Sequence, residues 1–286
     1  MARPLRIEFP GAIYHVTSRG NERKEVFLDD RDRMIFLDTL SRCCNLFNWL
    51  CHAYCLMGNH YHVIIETIDG NLSKGMRHLN GVYTQKFNWN HNRVGHIFQG
   101  RFKAILIERE THLLQACRYV VLNPVRAKIT DKPDGWHWSS YRGTAGLATP
   151  IALLTTDWIL QQFGEKPTVA QRRYREFVKD GIGETSIWED VKSQILLGDD
   201  GFVEEFSDVA KGIEELSEIP KSQRFLHRPA LMHLFPNEAS QDKELRNQLV
   251  VEAVEVHGYD QKAVADHLRI HYSTVSRILT RNNEKV

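Results

Sequence analysis

The sequence predicts an α+β protein: a split β-α-β antiparallel sheet with its helices on one face, followed by an α-helical carboxyl-terminal region that holds a helix-turn-helix. Three observations carry this. Stretches of alternating apolar and polar residues recur before residue 110, stretches of helical periodicity separate them, and the resulting order is β-α-β-β-α-β-α.

Ile13-Tyr14-His15-Val16-Thr17 alternates between Gly11 and the turn-forming Arg19-Gly20-Asn21, so it is the first strand. Asp30 to Phe47 then sets Met34, Leu37, Leu40 and Cys44 at helical spacing. Trp49 to Met57 returns to extended patterning and meets Gly58-Asn59, a hairpin signal. Tyr61 to Glu66 is the third strand, a helix follows from about Leu72 to Asn88, and Phe102 to Glu108 is the fourth strand. The helix from Glu110 to Leu122 should stop at Asn123-Pro124, because proline lacks the N–H that continues a helix. This is a ferredoxin-like layout with one sheet face left for ligand.

Past Trp138-Ser139-Ser140-Tyr141 the alternation ends, and residues 146–220 read as helical pieces broken by glycines and Pro167, an acidic accessory connector. Residues 221–286 form the last module and 1–145 the first. In the last module, Gln261 to Leu279 has Ala265 in a first short helix and apolar anchors at Leu268, Ile270, Val275 and Ile278. Ser273, Thr274 and Arg277 on its second helix are candidate DNA contacts, although Arg269 stands where such turns commonly carry glycine.

With 42% apolar and 26% charged residues the chain has an ordinary globular composition, and it has no apolar run of the ~18 residues a membrane span needs. Residues 1–10 show no secretion signal, so a cytoplasmic, nucleoid-associated protein is expected. The five cysteines, Cys43, Cys44, Cys51, Cys55 and Cys117, form no C-x-x-C pair and read as reduced core thiols. The net charge of +1 hides two opposite halves: residues 1–150 carry 20 Lys and Arg against 13 Asp and Glu, and residues 151–286 carry 17 against 23. A basic front half points to a polyanion as partner.

His60-Tyr61-His62 opens the third strand. The bare pattern is weak, since 14 histidines in 286 positions give roughly 0.7 such pairs by chance. Its position matters more: residues i and i+2 of a strand share a face, so two imidazoles can converge on one cation. Gln115, Tyr119 and Asn123 form a polar stripe on the following helix, beside apolar Leu113, Leu114, Cys117, Val120 and Val121. Next to a histidine-bound metal, the Tyr119 phenol is a candidate nucleophile toward a phosphodiester, and Asn123 can supply a third, oxygen ligand. Two imidazoles with oxygen ligands favour Mg²⁺ or Mn²⁺ over a structural zinc.

Four segments together resemble the single-tyrosine HUH transposases of the insertion-sequence-200-like superfamily: Gly11 to Asn21, His60-Tyr61-His62, Gly95 to Lys103 and Tyr119 to Ala127. The resemblance spans roughly residues 3–145. Trp138 to Tyr141 and Ile195 to Asp199 bring it nearest to the branch associated with repetitive extragenic palindromes. It implies metal-dependent nicking and strand transfer of single-stranded or hairpin DNA. Tyr119 would form a 5′-phosphotyrosine, His60 and His62 would hold the metal, and Asn123 occupies the third-ligand position. The middle residue of the HUH element is usually bulky and apolar in this family, and Tyr61 should point to the sheet's other face. Lys74, Arg77, Lys86, Arg93, Arg101 and Lys103 are candidates for the phosphate backbone, with Arg19 and Arg126 in the resembling motifs, while Trp89, His91, His96 and Phe98 offer surfaces for unpaired bases. Monomers and homodimers are both compatible. The alternative is a non-catalytic regulator that binds DNA through the same sheet and the carboxyl-terminal helix-turn-helix; a zinc hydrolase built on the two histidines lacks the accompanying H-E-x-x-H or cysteine set.

Overall fold

The computed structural model describes residues 6–192, 195–207, 228–236 and 242–283. The part of the acidic stretch beyond Ser207, with residues 208–220 of the connector, lies outside the described residues. Two compact units share the described residues: one is Arg6–Val191 with Ile195–Asp199, and the other holds Lys192 and the described residues from Asp200 onward.

In the first unit, β1 (Ala12–Arg19), β2 (Trp49–Leu56), β3 (His60–Thr67), β4 (Lys103–Ile107) and β5 (Leu196–Leu197) form one sheet in the order β2-β3-β1-β4-β5. β1 runs antiparallel to β3 and β4, and β2 antiparallel to β3, as the split β-α-β pattern predicts. The β2–β3 connection is the expected hairpin: Met57 N–H donates to His60 O at 2.9 Å, and Val26 and Phe27 donate to Gly58 O. That pins the start of β3, and with it His60. The short β5 was not expected as a strand. It adds in parallel to β4, through Leu106↔Leu196 and Ile107↔Leu197, so the sheet is not purely antiparallel.

Helix α1 (Asp30–Phe47) starts where the Asp29 carboxylate accepts from Asp32 N–H and ends at Asn48, whose left-handed φ of 53° turns the chain back into β2. Helix α2 (Leu72–Asn90) lies beside α1, and Gly75 lets it close on Trp49, because a Cβ there would collide with the indole. Both helices cover the face that carries Tyr61, which meets Phe36 of α1 at 4.6 Å and donates its hydroxyl to Asn80 of α2 at 2.7 Å.

Helix α3 (Arg109–Arg126) lies on the opposite face. Its Leu113, Cys117, Val120 and Val121 are buried with Ile13, Ala53, Cys55 and Ile64 of the sheet. The expectation of helices on one face is therefore corrected: the sheet is covered on both. The cause is apolar surface on each side, with Ile13 and Ile64 on one and Val16, Val63 and Ile65 on the other, all at 2% exposure or less. Helix α3 also runs four residues past Leu122, through Pro124, where a stop was expected. Pro124 has no N–H for Val120 O, but the Asn123 side chain donates to that oxygen at 3.3 Å and to Tyr119 O at 3.1 Å. The carbonyl freed by proline is thus satisfied from within the helix.

Beyond α4 (Tyr141–Thr144), helices α5 (Asp157–Gln161) and α6 (Pro167–Asp180) add Ile159, Tyr174 and Val178 to the same core as α3. In the second unit, after α7 (Asp200–Ser207), four helices are described: α8 (Leu231–Leu234), α9 (Lys243–Val251, continued by a π turn over Glu252–Val256), α10 (Gln261–His267) and α11 (Tyr272–Asn283). Val250, Ala253, Val264, Ala265, Val275 and Leu279 form its core. Arg269, between α10 and α11, has φ +53°, the left-handed conformation for which glycine is common at such turns. Among the described residues no helix is long and apolar enough to cross a membrane.

Candidate active site on the histidine face of the sheet

The β1–β3 register decides what faces α3. Thr17 stands opposite His62, His15 opposite Ile64 and Arg19 opposite His60, so His15, His60 and His62 project from one face while Tyr61 turns to the other. His60 is oriented by its neighbour: its Nδ1–H donates to Asn59 Oδ1 at 2.6 Å, since that oxygen can only accept, which leaves Nε2 as a lone pair. His62 Nδ1 lies 2.9 Å from His15 Nε2, and His62 Nε2 is buried with no hydrogen-bond partner among the described residues.

Burial, helped by the charge of Arg19, lowers the His60 pKa to about 4. Burial with the neighbouring His15, His60 and Arg19 holds His62 well below its ordinary value, and burial alone takes His15 to about 3. All three imidazoles are neutral at pH 7, the form a metal requires. An oriented lone pair on His60 and an unpartnered buried nitrogen on His62 fit a divalent cation. Cys55 faces His62 across β2–β3, but its thiol contacts Met57 Sδ and burial raises its pKa, so it offers no thiolate.

Tyr119 projects half-buried from α3, with Arg126 4.8 Å above its ring. Trp188 packs against both halves of the site: it stacks on His15 at 4.2 Å and meets Tyr119 edge-to-face at 5.2 Å. Helix α3 secures the segment that delivers the indole, since Arg118 pairs with the Glu184 carboxylate and Arg126 Nη1 donates to Glu184 O at 3.0 Å. The amino end of α3 is anchored by Arg109, which pairs with Glu66 of β3, itself bonded to His52 at 2.9 Å. Asn123 is buried, and its amide nitrogen is committed to the helix, so only Oδ1 is free in kind to meet a cation.

Of the basic candidates, Arg19 stands beside His60 and Arg126 beside Tyr119. Lys74, Arg77, Arg93, Arg101 and Lys103 are exposed, whereas Lys86 is drawn onto α1, 3.3 Å from Thr39 Oγ1 and 3.7 Å from Asp38. Trp89 is 85% exposed and His96 is exposed, as flat platforms require. Phe98 is not one: it is buried against Tyr61 and Tyr83. His91 is bonded to Asp32 at 2.8 Å. With Asp29 these two form a cluster of ligand atoms within 4.8 Å, but it lies at the start of α1, where Asp29 caps the helix and Asp32 accepts from Leu28 N–H. In the second unit Arg277 is exposed, and Ser273 and Thr274 are half-buried.

Sequence reasoning missed the parts of His15, Asn59 and Trp188. The same-face alternation of β1 was the available signal for His15, and no local signal marked Trp188.

Residues 9–123 match the family model described as transposase IS200 like. That segment is similar to the IS200-like transposases and makes up less than half of the chain. The matched segment runs from the turn before β1 to Asn123 and so includes His15, His60, His62 and Tyr119. Eight solved chains match in structure, among them one described as a REP-associated tyrosine transposase bound to a REP hairpin; it is 17% identical, with 55% of this chain and 91% of that chain covered and a TM-score of 0.45. No curated protein matches the chain in sequence.

Proposed function

We propose that this chain is an IS200-like transposase that nicks single-stranded or hairpin DNA and transfers the strand through a 5′-phosphotyrosine on Tyr119. The observation that supports the reading is that Trp188 packs on both the Tyr119 ring and His15, the hydrogen-bond partner of His62, whose face of the sheet also carries His60. A divalent cation, Mg²⁺ or Mn²⁺, held by His60 and His62 with Asn123 as the third ligand, would withdraw charge from the scissile phosphate. Tyr119 Oη would bond to phosphorus as the bond to the 3′ oxygen breaks; the phenol gives its proton to solvent, and the departing 3′ oxygen takes one from solvent to become the 3′-hydroxyl. Arg19, opposite His60, and Arg126, over the Tyr119 ring, would hold the flanking phosphates. The covalent link conserves the energy of the broken bond, so religation needs no nucleotide cofactor.

Residues 1–145 would be the nuclease domain, 146–220 a connector and 221–286 a DNA-reading module, in which Ser273, Thr274 and Arg277 face duplex DNA. The motifs at Trp138 to Tyr141 and Ile195 to Asp199 support extragenic palindromes as the substrate. Incubation with a labelled hairpin oligonucleotide and Mn²⁺ should give a denaturation-resistant adduct that is lost in Tyr119→Phe, in His60→Ala and with chelator. Salt-sensitive binding without any adduct, unchanged by Tyr119→Phe, would instead favour a non-catalytic regulator.

A further inference from the structure

His15 lies in the middle of β1, flanked by β3 and β4, and is 4% exposed. Its Nε2 is 2.9 Å from His62 Nδ1, the two ring planes are within 2° of parallel, and the centroids are 5.1 Å apart. Rings so placed meet edge to edge rather than face to face, and the hydrogen bond lies in both ring planes, along the His15 lone pair. Trp188 stacks on His15 with an interplanar angle of 11° and holds that plane.

The proton between the rings has two placements. If His15 donates, neutral His62 carries its own proton on Nε2 and has no lone pair there for a metal. If His62 donates, its Nε2 is free, and the His15 proton sits on Nδ1. Each arrangement leaves one buried N–H without a partner, at His62 Nε2 or at His15 Nδ1. Within the pair, only the second makes His62 a ligand through Nε2.

We infer that His15 is a positioning residue: by accepting the Nδ1–H of His62 it fixes the tautomer and ring orientation in which His62 Nε2 binds a divalent cation. The inference rests on the reading of His60 and His62 as metal ligands, and goes beyond it by assigning a third, non-ligating histidine. Partners of this kind typically govern metal affinity by about 10–100-fold.

The test is Mn²⁺ affinity, measured on the full chain by titration calorimetry and by the loss of free-ion electron paramagnetic resonance signal. His15→Phe keeps a flat apolar ring under Trp188 but has no acceptor, and should weaken Mn²⁺ binding about 10–100-fold. His15→Gln loses the ring but keeps an acceptor oxygen, and should remain within about 3-fold of the wild type while His62→Ala loses the site. Circular dichroism and melting temperature of each variant report folding independently. If His15→Phe folds and binds Mn²⁺ as the wild type does while His62→Ala does not, His15 has no positioning role and the reading of His62 stands. If His62→Ala binds as tightly as the wild type, both fall. Should His15→Phe fail to fold, His15→Gln decides alone: a loss as deep as that of His62→Ala overturns the inference. A nitrogen-15 spectrum of the imidazoles at saturating Mg²⁺ should show the His62 proton on Nδ1 in both the wild type and His15→Gln. A proton on His15 Nε2 instead overturns the assignment.

Discussion

The passage of α3 through Pro124 yields a sharp test of how the Tyr119 helix is held. Asn123→Ala removes the amide that serves Val120 O at 3.3 Å and Tyr119 O at 3.1 Å, in a residue only 9% exposed. Tyr119 O still has a helical partner in the backbone N–H of residue 123. Val120 O has none, because residue 124 is proline. An unsatisfied buried carbonyl costs about 1–3 kcal/mol, which at about 2–4 °C per kcal/mol for a unit of this size lowers the melting temperature by about 2–12 °C. In a Pro124→Ala background the alanine N–H is available to Val120 O, so the same Asn123→Ala change should then cost less than about 0.5 kcal/mol. The assay is a double-mutant cycle in urea, with melting as a second readout. An Asn123→Ala cost that is equal in both backgrounds would refute the view that this side chain replaces the N–H that proline removes.

Three further outcomes follow from the site. Trp188→Ala removes the indole packed on His15 and Tyr119, so the covalent adduct should form more slowly, and an unchanged or higher rate would contradict the view that the ring holds the two parts of the site. Because burial lowers the His60 pKa to about 4 and holds His62 well below its ordinary value, both are already neutral at pH 5.5. Mn²⁺ affinity should therefore change by less than about 3-fold between pH 7.5 and 5.5, where two imidazoles at the ordinary value of about 6.5 would each lose about 10-fold. Arg19→Ala, beside His60, should slow adduct formation about 10-fold or more, whereas Lys86→Ala, held at Thr39 and Asp38, should leave it within about 2-fold; equal effects would argue against a phosphate contact at Arg19.

The strands and the first two helices were legible because their signals are local. Gly58-Asn59 marks its own hairpin, and Met34, Leu37, Leu40 and Cys44 mark their own helix. The side of the sheet taken by α3 was misread, although Val63-Ile64-Ile65, three consecutive buried apolar residues, belongs to a strand covered on both faces. That His60 and His62 share one face of β3 was legible from their spacing. The continuation past Pro124 was not, because it depends on one side chain turning back by a turn of helix. Phe98 looked like a base platform because an aromatic between glycines in a basic segment reads the same whether it packs inward or outward; contacts with Tyr61 and Tyr83 put it inside. Trp188 and β5 reach the sheet from far along the chain, through pairings such as Glu184 with Arg118 that no local periodicity encodes.

The central claim, that the Tyr119 phenol is the group that joins DNA, is met most directly by protease digestion and mass spectrometry of the protein after reaction with a hairpin oligonucleotide and Mn²⁺. The peptide spanning Arg118 to Arg126 should carry a nucleotide phosphate on Tyr119. A phosphate on another side chain, or a wild-type protein that binds the hairpin and Mn²⁺ yet yields no modified peptide, would contradict it.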